Sequence, residues 1–293
     1  MYADAHCDTL TKAYDCGYSL YDNLCELDFR RLRKYGCSLQ FMAVWIEPKY
    51  EPHDAFERCI NVLDYYDSQI DGDINTVLTG DDVSEDNLNI LLSVEGGSAL
   101  EDDIDNLYRL YERGVRALTL TWNGDNLIGG GIVNNDKGLT DFGKTVVREM
   151  NRLGMIVDVS HLSDKGFWDV ADMCDIFIAS HSNCRELCGH NRNLTDDQIK
   201  CIIEHNGFIG LNFYSDFLSE NTATVNDIVR HAEHILDLGG EDVLGFGSDF
   251  DGTDKLPVGI HGVENMAEIT SKFCKNNMLY GNLYRNITQI LKK

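Results

Sequence analysis

Only three prolines occur in the 293 residues, and no stretch is rich in serine and glycine. A chain without such punctuation offers no linker, so residues 1–293 are expected to form a single domain. No apolar run approaches the roughly 20 residues that cross a bilayer. The opening MYADAHCDTL has neither the basic start nor the apolar stretch of an export signal. The expected location is the cytoplasm. Positive charge is scarce: 25 Lys and Arg against 49 Asp and Glu give a net charge of −24. Most of that surface would repel a phosphate backbone or an anionic membrane, so neither nucleic acid nor membrane is an expected partner. The ten cysteines are dispersed without the dense, regular spacing of a disulfide scaffold, and reduced, mostly buried thiols are expected. Cys184 and Cys188 form a lone C-x-x-x-C, which without a second pair does not make a metal knuckle.

Against these absences stands an ordinary globular composition, 43% hydrophobic and 25% charged. Eight short apolar, β-branched-rich runs recur at 2–7, 38–46, 89–95, 115–121, 155–161, 176–182, 208–214 and 243–249. Amphipathic stretches lie between them at 53–71, 102–113, 139–153, 163–173, 195–206 and 224–238, several opened by Asp, Ser or Thr in N-cap position. Residues 263–274 and 278–291 add a C-terminal helical pair. Alternating strands and helices argue for a parallel sheet, and eight strands are the number that closes a (β/α)8 barrel of the TIM type. An open doubly wound sheet shares the local pattern, but no G-x-G-x-x-G or G-x-x-x-x-G-K turn follows any strand.

Polar residues interrupt these runs at their C-terminal ends, where such a barrel opens its active face. His6 and Asp8 are two apart, so on an extended strand they share a face. Glu95 ends the third run, His161 the fifth and His181 lies near the end of the sixth. Three imidazoles and two carboxylates suit zinc or a similar divalent ion, and a shared carboxylate can bridge two ions. Any one of these histidines alone reads more simply as a hydrogen-bonded structural residue; their joint position is what argues for metal.

Asp249 ends the eighth run and Asp251 follows in GFGSDFDGTD. Asp249 is read as a general base or proton shuttle and Asp251 as a turn residue. The string DFDGT also imitates the nucleophile loop of haloacid-dehalogenase-type phosphatases, but only about 40 residues follow it, too few for the βα units such a sheet needs. An EF-hand fails because the sixth loop position is Asp254 and the twelfth Ile260. Arg192, in GHNRNL, is either a bidentate holder of a substrate carboxylate or a loop arginine in solvent. The Gly/Asn-rich stretch 123–138 is either a mobile lid or an ordinary surface loop.

At these residues the sequence resembles the membrane (renal-type) dipeptidase family, the M19 metallopeptidases, over nearly the whole chain. The resemblance is carried by DAHCD, SVEGG, DVSH, SHSNCRELCGHNRN and GFGSDFDG. It implies a (β/α)8 barrel of the metal-dependent hydrolase kind with two zinc ions, one held by His6 and Asp8, the other by His161 and His181, with Glu95 bridging both. It also implies that Arg192 binds the substrate's C-terminal carboxylate and that Asp249 handles the free amine or the proton. One departure stands out. Mammalian members carry a substrate-binding histidine in L-T-L-T-H where this chain reads LTLTW, with Trp122. An indole has one N–H donor and no acceptor, so Asn123 or Asn126 is a candidate replacement donor beside Trp122.

The function expected on these grounds is hydrolysis of free dipeptides, including C-terminal D-residues, by a hydroxide bridging the two ions, with Asp249 and Glu95 as the catalytic carboxylates. Alternatives are another binuclear amidohydrolase reaction, such as lactone or cyclic-amide opening, and a metal-loaded but inactive binding protein. A homodimer is left open.

Overall fold

A computed structural model describes residues 1–84, 87–273 and 276–291. Nine parallel strands are found among them: β1 Tyr2–Asp4, β2 Cys37–Trp45, β3 Ile74–Thr76, β4 Leu88–Glu95, β5 Val115–Thr119, β6 Ile156–Asp158, β7 Ile178–Ala179, β8 Phe208–Leu211 and β9 Leu244–Phe246. Eight of them close on themselves. β1 pairs with β2 and β9, β2 passes directly to β4, and β4 to β9 follow in order. Each of the eight apolar runs contains one barrel strand, so the (β/α)8 expectation holds. The extra strand β3 pairs only with the start of β4, through Ile74 to Leu88 and Thr76 to Ile90. Three residues are too few to show a period, which is why it was not legible.

Strands of a closed parallel barrel are covered on both faces, which demands continuous apolar runs rather than alternation. All eight residues of β4 are buried. The helices are α1 Thr9–Cys16, α2 Phe29–Lys34, α3 Ala55–Gln69, α4 Ile104–Glu112, α5 Asp141–Leu153, α6 Asp164–Ala171, α7 Asp196–Glu204, α8 Ser215–Leu218, α9 Val225–Asp237, α10 Met266–Ser271 and α11 Asn276–Ile290. The six expected interstrand helices are all present. Four of their starts are fixed by the expected caps: Thr140 accepts from the Gly143 N–H, Ser163 from that of Gly166, and Thr195 and Thr224 form reciprocal boxes with Gln198 and Asp227. Such caps contribute about 1 kcal/mol each. Short α1, α2 and α8 were not anticipated, since one or two turns carry little periodicity.

Ala3, Leu39, Phe41, Leu91, Ala117, Ile156, Ile178 and Phe208, from seven different strands, pack in one cluster with Leu283, Ile287 and Leu291. Residues from seven strands can meet only inside the barrel. The C-terminal helix α11 is therefore part of the barrel's closure. α11 seals the end at which the strands begin, and Asn282 on it donates to the carbonyls of Glu241 and Leu244. Chemistry is left to the opposite end.

The nine cysteines among the described residues are unpaired, seven of them buried, Cys201 half-buried and Cys16 exposed. Cys184 and Cys188 donate to the carbonyls of His231 and Asp216, as structural thiols do, and Cys274 lies outside the described residues. No helix among the described residues is long and apolar enough to cross a membrane.

Candidate metal centre

His6 and Asp8 follow β1, Glu95 is the last residue of β4, His161 follows β6, His181 follows β7, and Asp249 follows β9. All six thus sit at the C-terminal ends of barrel strands, converging on one axis. Two have left-handed backbones, His161 at φ 64° and Asp249 at φ 63°. For a side chain with a Cβ this costs on the order of 1 kcal/mol and must be held by its surroundings. His161 is held by its carbonyl, which accepts from the Ile132 N–H at 2.9 Å and the Thr121 hydroxyl at 3.1 Å. At β7, the glycines Gly210 and Gly247 permit a close approach: a Cβ on either would stand 1.9 or 1.8 Å from the Ser180 carbonyl oxygen. Only glycine lets β8 and β9 crowd the residue that precedes His181.

The carboxylate of Glu95 faces two ways. Its Oε2 lies 3.7 Å from His6 Nε2, while its Oε1 lies 2.9 Å from His161 Nε2 and 3.5 Å from His181 Nε2. His6 Nε2 is also 3.4 Å from Asp8 Oδ2 and 3.9 Å from Asp249 Oδ1. The rings of His6 and His181 stack at 3.8 Å, and the Nε2 atoms of His161 and His181 stand 2.9 Å apart. His6, Glu95 and His181 form one group able to hold a metal ion, and His6, Asp8 and Asp249 a second.

Their electrostatics ask for a cation. Burial alone would lower the His6 imidazole, yet the carboxylates of Glu95, Asp8 and Asp249 outweigh it and push it up to about 10. Burial, reinforced by Asp8, drives Glu95 well above the carboxylate range, and burial raises Asp249 to about 6. Burial holds His161 and His181 well below the ordinary imidazole value. Buried charge without a partner is costly, and His6 Nε2 and Asp8 Oδ1 are buried with no hydrogen-bond partner. Imidazoles, carboxyl groups and orphaned ligand atoms converging on one point are what a bound divalent cation satisfies.

The centre opens into a cavity of about 510 Å³, lined by Asp8, Glu95, His161 and Asp249 with Lys12, Trp45, Trp122, Asn123, Tyr214 and Phe217 around them. This is the size of a small-molecule site. Trp122 meets Trp45 edge to face at 5.4 Å and lies 6.1 Å from the His161 ring, so it is a wall of the cavity. The Oδ1 of Asn123 is 2.8 Å from His161 Nδ1, which makes that residue a support for the histidine. Asn126 is turned into its own loop, donating to the Leu120 carbonyl and accepting from the Ile128 and Gly129 N–H groups. As a replacement donor it is corrected. The 123–138 loop braces the centre in this structure: Gly130 accepts from the Ser163 N–H, and the Ile132 N–H donates to the His161 carbonyl.

Arg192 is not a loop arginine in solvent. It is 4% exposed, its guanidinium lies 5.3 Å above the Phe217 ring, and one Nη donates to the His181 carbonyl at 3.3 Å. Its Nε has no partner. Burial lowers its pKa to about 10, against the opposing charges of Asp249, Glu95 and Asp158. It lines a narrow cleft that shares His161 with the main cavity. Asp249 has one oxygen, Oδ2, held by the Asn212 amide at 2.9 Å, leaving Oδ1 towards His6 and the cavity. Asp251 is fully engaged elsewhere, accepting from the Thr9 hydroxyl, from Lys12 Nζ at 2.8 Å and from the Glu26 N–H at 3.0 Å, as a turn residue should be. Trp45, Tyr214, Phe217 and Asn212 escaped the sequence reading, although Asn212 breaks the run FIGLNFY at its C-terminal end, the signal that marks the residues of the centre.

The family model for membrane dipeptidase, peptidase family M19, matches residues 1–293. An uncharacterized dipeptidase of Schizosaccharomyces pombe is 32% identical over 303 residues, covering 91% of this chain and 71% of that protein. Among solved structures, an M19 metallopeptidase described as dipeptidase AC superposes with a TM-score of 0.92 at 26% identity, covering 100% of this chain and 99% of the other. A metallopeptidase from Rhodobacter sphaeroides, liganded with a phosphinate mimic of the dipeptide L-Ala-D-Ala, gives 0.91 at 26% identity and 99% coverage of both chains.

Proposed function

The chain belongs to the membrane dipeptidase family, peptidase family M19, and we propose that it is a dizinc enzyme hydrolysing free dipeptides, residues 1–293 forming one metallohydrolase domain. His6 and Asp8 would hold one ion, His161 and His181 the other, and Glu95 would serve both. The observation that carries this reading is the division of Glu95, with Oε2 towards His6 and Oε1 towards the two other imidazoles. Zinc bound there supplies Lewis acidity, polarising the scissile carbonyl and lowering the pKa of a water towards about 7.

The chain's own groups do the rest. Arg192 would read the C-terminal carboxylate of the substrate, its unpartnered Nε and fixed plane suiting a bidentate contact. Asp249, steadied by Asn212, offers its free oxygen to the substrate amine or to a proton in transit. Trp45, Trp122, Tyr214 and Phe217 wall the cavity and keep water from competing for those contacts. With a fixed cation at one side and Asp249 at the other, only a short substrate fits. The mimic bound to the Rhodobacter sphaeroides relative supports acceptance of a D-residue at the C-terminus. The cytoplasmic location is read from the sequence.

A panel of free dipeptides, their C-terminal amides and tripeptides tests this reading. The unmodified enzyme is expected to cleave dipeptides and to leave amides and tripeptides intact. Arg192→Ala should chiefly raise KM for dipeptides, by roughly 10- to 100-fold, since a hydrogen bond to a charged group contributes about 1.5–3 kcal/mol. Comparable cleavage of a dipeptide and its amide by the unmodified enzyme would remove Arg192 from the carboxylate.

A further inference from the structure

The hydroxyl of Ser180 lies between two acceptor-capable atoms, 2.5 Å from Asp158 Oδ2 and 2.7 Å from His181 Nδ1. It has one hydrogen to give. Asp158 decides where that hydrogen goes. The carboxylate is buried and surrounded by donors: its Oδ1 accepts from the N–H groups of Ser160 at 3.0 Å and Ser180 at 2.9 Å, and its Oδ2 from the Thr119 hydroxyl at 2.7 Å. An ionised carboxylate accepts four such bonds and donates none. The Ser180 hydrogen is the fourth, so its oxygen is left to accept from His181, and the proton of that imidazole must sit on Nδ1.

We propose that Asp158 and Ser180 are positioning residues that lock His181 in the Nδ1–H tautomer, so that its Nε2 is a bare lone pair aimed at the metal position. The same device, one residue shorter, serves His161: the side-chain Oδ1 of Asn123, 2.8 Å away, accepts from Nδ1–H. Two Nε2 lone pairs then stand 2.9 Å apart with Glu95 Oε1 beside both, where a cation would be held. Outer partners of this kind set ring orientation and tautomer, and losing one weakens metal binding by about 10- to 100-fold. The inference rests on the metal reading given above. It also gives Asp158, at the end of β6, a role beyond tying the strand end to the Ser160 and Ser180 backbone.

Nitrogen NMR of the metal-free protein with 15N-labelled histidine tests it without substrate, the His181 signal being assigned from its absence in His181→Gln. The unmodified protein should show His181 with its proton on Nδ1. In Asp158→Asn the amide oxygen stays with the two backbone N–H groups, which turns the NH2 towards Ser180. The hydroxyl must then accept from it and donate to His181 Nδ1, so the proton is expected to move to Nε2 and zinc affinity to fall about 10- to 100-fold. Ser180→Ala should loosen the tautomer preference and weaken zinc similarly. A proton found on Nε2 in the unmodified protein would overturn the proposal, as would unchanged tautomer and zinc affinity in the variants. Because no turnover is measured, dipeptide hydrolysis with the wrong tautomer refutes the relay alone, and the right tautomer in a protein inert to dipeptides refutes the proposed function alone.

Discussion

Glu95→Ala is expected to lose both metal ions and with them all measurable dipeptide hydrolysis. The side chain is 4% exposed, and each of its oxygens faces a different set of ligands, so no neighbour can substitute for it. Truncation leaves His161 and His181 with no carboxylate near their Nε2 atoms, and His6 with Asp8 and Asp249 only. Folding without metal should survive, because a carboxyl that burial has driven well above its usual pKa contributes no net stability as an anion at neutral pH. The separation is measurable. Zinc at 100 times its Kd stabilises a binding-competent fold by about 2.7 kcal/mol. The unmodified protein should therefore melt several degrees higher with zinc than without, and Glu95→Ala should melt at the same temperature in both. Full metal content and activity in that variant would sink the shared-ligand arrangement.

Asp249→Asn carries the second large effect. The amide keeps the size of the side chain but neither accepts a proton nor attracts an ammonium group, and turnover should fall by about 10²–10⁴ with metal content retained. Asp251→Asn, two residues away, should behave differently. Its carboxylate receives Thr9, Lys12 and the Glu26 backbone, so the variant should lose on the order of 1–3 kcal/mol of stability and keep its turnover per folded molecule. Comparing urea unfolding with kcat for the two variants separates these outcomes. If they came out reversed, the carboxylate facing the substrate would be Asp251.

Asp249 and Asp251 mark the limit of what spacing alone can say. Both are carboxylates beyond the same strand and both have left-handed backbones; only the partners of Asp251 on α1 and in the following loop separate them. The barrel was legible because a strand covered on both faces must be apolar throughout, and the residues that converge at its open end were legible because they are the polar residues ending such runs. What could not be read has local physical causes. β3 and the shorter helices hold too few residues for a period. Arg192 reads equally as surface or site until the segment between β7 and α7 folds it over Phe217. Ser180 and Asp158 stand in plain view in IFIASHS and MIVDVSH, but a hydroxyl that accepts from a histidine cannot be told by sequence from one that caps a turn. The plugging of the barrel by α11 is a tertiary fact with no local signature.

The central claim is that a two-ion centre at the open end of this barrel cleaves free dipeptides, and zinc titration of the metal-stripped protein against a free dipeptide tests it most directly. Hydrolysis should be absent without metal, rise with added zinc and level off at two equivalents per chain. A folded protein that stays inert at two equivalents against a broad dipeptide panel, or one that cleaves dipeptides fully with its metal removed, would contradict it.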